Sequence, residues 1–455
     1  MLRISIVCLL ALAVSCTPKT ASEEVAPRKP VRLITVDPGH FHAALIQKVM
    51  YPEVDSTVHV YAPEGPDLKM HLDRVNSYNT RPENPTHWNE QLFAGEHFFE
   101  RMIQEKPGNV VVLSGNNQKK TEYILKSLEA GLNVYADKPM VIDAKGFDQL
   151  KKSFEVAAKN KLLLYDIMTE RFEITTMLQR ELSMIPEIFG ELEKGTTGNP
   201  AITKESIHHF YKYVSGSVLT RPAWFLDAEQ QGEGIVDVMT HLVDLVQWEA
   251  FPNQALDYTK DITITKARRW TTDIPLSKFK TITKLDGFPE YLKKNVTDTV
   301  LKVSSNGEVN YQLRGVNAKT SVIWNYESKD GSGDTHYSIM RGTKANLVIS
   351  QGPKEQYKVT LYINPVKKDK TYDQALADKF KALQEKYPGI ELVKTGEGWT
   401  VTIPDSYKEG HEAHFGRVTE RFIEYLTKGT IPEWEVPNML AKYYTTTQAL
   451  EASKK

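Results

Sequence analysis

Five short apolar runs, at residues 31–36, 57–61, 109–114, 133–136 and 162–166, set the strongest limit on what this chain can fold into. Each has the length of a buried strand, and helical segments at residues 43–50 and 120–130 fall between them. Parallel strands need a crossover rather than a tight turn, so this alternation predicts a parallel sheet with right-handed connections. From about Gly198 the texture changes. Strand-like runs recur at residues 299–303, 309–313, 320–324, 336–340, 347–350 and 358–363, with little helix between them. Ser305-Asn306-Gly307 and Asp330-Gly331-Ser332-Gly333 read as hairpin turns.

The expected architecture is α/β plus α+β: an N-terminal Rossmann-like parallel sheet with helices, then an open, mainly antiparallel sheet. Residues 31–170 are expected to form the first of these domains and residues 171–410 the second. Residues 411–455 supply terminal helices. A chain of 455 residues suits such a division at about 150 residues per domain. Its net charge of −1 argues against nucleic acid as a partner.

The first thirty residues stand apart. Arg3, an apolar stretch over residues 4–14 and Ser15-Cys16 read as a secretory signal over residues 1–15. Residues 12–16, Leu-Ala-Val-Ser-Cys, resemble a bacterial lipobox, with Cys16 as the lipidated residue and residues 16–30 as a polar tether. The chain has two cysteines, Cys8 and Cys16, so the mature domains are expected to hold no disulfide and no thiolate metal site. The expected location is outside the cytoplasm, lipid-anchored to a bacterial membrane (periplasm or outer membrane).

The chemistry gathers where strands end. After the first strand comes Asp37-Pro38-Gly39-His40-Phe41-His42, where a dinucleotide fold carries G-x-G-x-x-G. Only the central glycine remains, and Asp37 and His42 occupy the outer positions. Asp37, Gly39, His40 and His42 are the candidate phosphate-side residues. Glu64, after the second strand, is the candidate ribose acid, and Asn116, after the third, is placed beside the nicotinamide ribose. The fourth strand ends in Asp137-Lys138-Pro139, which presents a lysine where open α/β sheets bind ligands. A hundred residues later, Asp237, His241 and Asp244 are spaced i, i+4, i+7, one face of a helix. A lysine, a carboxylate and an imidazole are what hydride removal from a hydroxyl requires, and histidine titrates near working pH.

Taken together, Asp137-Lys138-Pro139 and Gly232-Glu233-Gly234…Asp237…His241 resemble the hallmarks of the Gfo/Idh/MocA oxidoreductases, over nearly all of the mature chain. The resemblance implies that Lys138 touches the reacting hydroxyl and the nicotinamide, that His241 is the acid/base and that Asp237 binds substrate or orients His241. It also implies terminal helices packed on the first domain, NAD or NADP as cofactor, and homo-oligomers among relatives. His208, Tyr211, Arg221 and Trp224 are the further substrate candidates; residues 81–88 are expected to wrap the cofactor, and His411 and His414 to be surface or packing residues. No metal site is assigned; Asp237, His241 and His208 are the one set weighed.

The leading function is an NAD(P)-dependent oxidoreductase acting on a secondary hydroxyl of a sugar or glycoside, with C3 oxidation to a 3-keto-glycoside as the specific form. Because nicotinamide is scarce outside the cytoplasm, the cofactor is expected to be tightly held. Two alternatives stay open: a redox-neutral NAD-dependent glycosidase or epimerase, and a non-catalytic glycan-binding lipoprotein on a degenerate oxidoreductase fold.

Overall fold

The computed structural model describes residues 30–214, 217–328 and 333–455. The leader, the tether and Cys16 lie outside the described residues, as do Asp330, Gly331 and Ser332 of the second expected turn. Among the described residues, no helix is long and apolar enough to cross a membrane.

Strands β1 (Leu33–Val36), β2 (Thr57–Ala62), β3 (Asn89–Ala94), β4 (Val110–Leu113), β5 (Asn133–Asp137) and β6 (Leu164–Ile167) form one sheet. Every pairing is parallel, in the order β3-β2-β1-β4-β5-β6. This is the order of a dinucleotide-binding fold, with the reversal between β1 and β4. Helices α1 (His42–Leu45), α2 (Pro66–Thr80), α3 (Phe98–Glu105), α4 (Lys120–Glu129) and α5 (Ala144–Asn160) make the connections. β1, β4 and β6 are buried along their whole length, as parallel strands covered on both faces must be.

Two readings of this half need correction. α1 is a single turn, not a helix over residues 43–50. Residues 81–88 do not wrap the cofactor groove but pack beneath the end of α1. There the buried Trp88 indole donates to the Gln47 carbonyl at 2.6 Å, and Arg81 donates to the Lys48 carbonyl at 2.8 Å. The short helix leaves carbonyls open, and a buried indole N–H needs one.

The second sheet contains β7 (Ile202–His209), β10 (Ile262–Pro275), β11 (Val296–Thr297), β12 (Val300–Leu313), β13 (Val316–Asn325), β14 (Thr335–Arg341), β15 (Ala345–Ser350), β16 (Thr360–Pro365), β17 (Glu391–Lys394) and β18 (Trp399–Thr402). Its order is β10-β12-β13-β7-β14-β15-β16-β18-β17, with β11 beside β12; all pairs are antiparallel except β13 with β7. A separate pair, β8 (Tyr213–Val214) and β9 (Ser217–Val218), stands off the sheet.

Ser305-Asn306-Gly307 is not a turn: it lies inside the long β12. A Cβ on Gly307 would fall 2.3 Å from Ile235, and a Cβ on Gly234 would fall 1.9 Å from the Ser305 carbonyl. These glycines let the segment leading to α8 (Met239–Ala250) lie against the strand. The real hairpin is Arg314-Gly315, both at positive φ, between the paired Leu313 and Val316.

Helices α6 (Ile174–Ser183), α7 (Ala228–Gln231), α9 (Leu276–Thr283) and α10 (Lys370–Lys386) complete the second domain. α11 (His411–Lys428) buries Phe415, Val418 and Phe422 in the first core. α12 (Glu435–Ala452) divides its side chains, Met439 and Tyr443 to the first core and Ala441, Ala449 and Leu450 to the second.

Candidate active site

The carboxyl ends of β1, β4 and β5 face the segment that leads into α8. Asp137 is the last residue of β5, and Lys138 follows through a cis bond to Pro139. The Lys138 ammonium donates to Asp237 Oδ1 at 2.7 Å, with both side chains buried. Burial opposes this charge, but Asp237 and Asp137 outweigh it and hold the ammonium above its ordinary range. Asp237 lies in the turns before α8 rather than within it, so the i, i+4 pair straddles the helix start.

His241, in the first turn of α8, is buried, and its Nδ1 has no hydrogen-bond partner. Burial, with the Lys138 charge, pushes its pKa down to about 3, against the attraction of Glu170. The expectation of an imidazole titrating near neutrality therefore fails for the free protein: a cationic neighbour and lost solvation both favour the neutral ring. Glu170, in the short 3-10 turn after β6, is held down to about 2, where His241, His336, His411 and His414 oppose the effect of burial. At neutral pH Glu170 is a carboxylate beside the neutral ring of His241.

Sequence reasoning missed Glu170 and His336, because nothing in Thr169-Glu170-Arg171-Phe172 or at the start of β14 marks a site. His411 was read as surface or packing. It is both: exposed to solvent, with its ring 5.4 Å from that of His42 and 5.3 Å from that of Phe415. Asp244 turns away to a double hydrogen bond with Arg171, at 2.6 Å each, and to Lys442 at 2.8 Å.

The turn after β1 departs further from its expected roles. Asp37 adopts positive φ, and burial with the nearby Asp67 carboxylate raises its pKa to about 6. His42 faces inward, its Nδ1 2.9 Å from Asp137 Oδ2, because a buried carboxylate must find a partner. His40 lines a cleft of about 450 Å³ with Gly39, Arg74 and Arg221. Glu64 is exposed beyond β2. The Asn116 amide donates to Gln230 at 2.7 Å, which ties the end of β4 to the second domain.

The other candidates scatter. The Trp224 indole donates to Asp67 Oδ2 at 2.7 Å, so it bridges the domains beside Gly39 rather than lining a sugar subsite. Arg221 is buried, donates to the carbonyls of Phe210 and His209, and lies over the Phe225 ring. Tyr211 stacks on Tyr326, away from His241's neighbours. His208 stacks on Trp324 at 5.0 Å and lies near His336, bonded to Ser206 and Asp334. A second cleft of about 310 Å³ brings together Asp237, Trp324, Phe210 and Gly234.

A dinucleotide fits this edge of the sheet on one observation: the turn after β1, Pro38-Gly39-His40-Phe41, lines the open cleft described above. Gly39, Glu64, Asn116 and Lys138 are the residues along that edge that would hold it. The two acids at the turn are its least favourable part, and burial raises the pKa of both Asp37 and Asp67.

A six-stranded Rossmann-type sheet and an open antiparallel sheet, with Lys138, Asp237 and His241 between them, make up an oxidoreductase fold. Residues 178–454 match the family model described as "Putative oxidoreductase C terminal domain". The chain belongs to this family. It is 55% identical to a "putative oxidoreductase" from Parabacteroides merdae, with a TM-score of 0.92 over 94% of this chain and 98% of that one. The fold is shared with levoglucosan dehydrogenase in complex with NADH and levoglucosan (11% identity, TM-score 0.58, 93% and 97% coverage). It is also shared with a 3-ketoreductase from Actinomadura kijaniata in complex with NADP (13% identity, TM-score 0.54, 93% and 98% coverage). Among curated proteins no match is found.

Proposed function

We propose that this enzyme is an NAD(P)-dependent oxidoreductase acting on a secondary hydroxyl of a sugar or glycoside, with oxidation at C3 of a glycoside as its specific form. The observation that carries the reading is the Lys138–Asp237 ion pair at 2.7 Å, between the domains and beside the unpartnered Nδ1 of His241. The cofactors named for the levoglucosan dehydrogenase and ketoreductase neighbours support it.

A substrate hydroxyl donates to His241 Nδ1, and its proton moves to that nitrogen. Glu170 offsets the charge that arrives on the imidazole, which makes a weak base effective only during the reaction. The Lys138 ammonium, fixed by Asp237, donates to the hydroxyl oxygen as negative charge builds there. When bound, the nicotinamide supplies the hydride acceptor. His208, His336 and Trp324 offer polar and stacking contacts for the rest of a sugar ring.

The Trp224–Asp67 bond across Gly39 favours a second reading. It ties the second domain to the rim of the cleft beside Gly39, a tie that would slow cofactor exchange, and a retained cofactor suits a redox-neutral glycosidase or epimerase. The test is single-turnover absorbance of bound nicotinamide against a panel of glycosides. Wild type reducing the cofactor with some glycoside supports oxidation; cleavage or epimerisation without net reduction supports the second reading. No change with any sugar overturns both and leaves a glycan-binding protein.

The reading extends to location: residues 1–15 export the chain, and a lipid on Cys16 holds it at a bacterial membrane. Labelled palmitate should enter wild type and not Cys16→Ser; equal labelling would remove the anchor.

A further inference from the structure

His40 and His42, in the turn after β1, make contacts that the oxidoreductase reading does not use. His42 Nδ1 lies 2.9 Å from Asp137 Oδ2, and His40 Nδ1 lies 3.6 Å from the same oxygen. One ligand atom from each of the three residues lies within 4.8 Å of the other two. Zinc bonds of about 2.0–2.1 Å in a tetrahedron put ligand atoms about 3.3 Å apart, so the spacing already brackets that of a metal site. The donor set also has the right chemistry. Two imidazoles and a carboxylate are zinc donors, and the bond that His40 Nδ1 accepts from the His42 backbone N–H, at 3.4 Å, is long enough to yield to an ion.

Two further observations point to a missing ligand. Asp137 is buried, and its Oδ1 has no hydrogen-bond partner, which is a costly state for a carboxylate oxygen. Around the carboxylate stands an outer layer of the kind that orients metal ligands. Ser114 Oγ donates to Asp137 Oδ2 at 3.0 Å, and Lys120 Nζ donates to the Asp137 carbonyl at 3.0 Å. His40 reaches the interdomain cleft, so a position on the ion would open to solvent or ligand.

We propose that His40, His42 and Asp137 bind one divalent transition-metal ion, zinc by donor set, at the end of β5. On binding, the His42 ring proton passes from Nδ1 to Nε2, so that a neutral imidazole and the Asp137 carboxylate both turn lone pairs to the ion with no net proton lost. The site does not depend on the hydride chemistry proposed above.

The test uses the full mature chain, stripped with chelator and titrated with Co²⁺ and Zn²⁺. One equivalent of cobalt should bind with the intense visible bands of a four-coordinate N/O site, and zinc should displace it. Zinc should also raise the melting temperature of wild type, since it binds the folded state. His40→Ala, at the accessible edge of the site, should lose both effects while keeping the circular dichroism of wild type. Ser114→Ala should weaken zinc binding by roughly 10- to 100-fold. Should wild type hold less than one equivalent at micromolar metal, or give only the weak bands of hydrated cobalt, the site does not exist. If His40→Ala binds as wild type does, the ion sits elsewhere and the assignment is overturned.

Discussion

His241 works against its own surroundings. Its pKa of about 3 means that acidification charges it only at high cost, so its protonation alone should not limit activity above pH 4. Losing a positioned base typically slows reaction about 100- to 10,000-fold, and His241→Ala should show this in single-turnover nicotinamide reduction while bound cofactor persists. Glu170→Gln is predicted to lower kcat with a smaller effect on KM, because its charge matters when the imidazole becomes cationic. An unchanged kcat for Glu170→Gln would leave Glu170 as a bystander. Asp37 gives a second test. Its folded pKa of about 6 lies above the ordinary 3.8, so the folded state binds the extra proton and stability falls as pH rises from about 4 through 6. Asparagine tolerates positive φ, so Asp37→Asn should remove that pH dependence and stabilise the protein at pH 7 by up to roughly 3 kcal/mol. Urea melts at pH 4.5 and pH 7.5 read it directly.

At the level of elements, Gly234→Ala is expected to destabilise by about 1–3 kcal/mol. A Cβ at Gly234 has backbone 1.9 Å away, and the displaced turn carries Asp237. Wild-type thermal stability with lost activity would place the strain at the site alone. The same contact explains one limit of the sequence reading. Serine, asparagine and glycine in a row signal a turn, and only the approach of the α8 lead-in reveals that Gly307 is there for closeness. The parallel strands were legible because apolar runs buried on both faces leave an unambiguous pattern, as at residues 110–113. The strand β3 was not, since it is an exposed edge without that pattern, and α2 was hidden behind its polar composition. In the site, Lys138, Asp237 and His241 stood out by motif. Glu170 could not, because a lone glutamate after a strand acquires meaning only from histidines on β14 and α11.

The whole molecule is held by charges buried across its two halves. Lys442, fully buried on α12, meets Asp166 of β6 at 2.6 Å and Asp244 of α8 at 2.8 Å. Arg171 joins Asp244 to Glu435 in the same network. Removing one partner from a buried ion pair leaves the other uncompensated, so Lys442→Met should destabilise by about 3–5 kcal/mol and lower the urea midpoint of both domains together. Separate transitions would mean that the network does not couple them. The position of α12 has a mechanical consequence. One helix contributes side chains to both cores and carries the ammonium that answers a carboxylate from each half. Prising the two sheets apart would leave those carboxylates buried without a counter-charge, so the pair resists opening at that helix like a hinge with its pin in place.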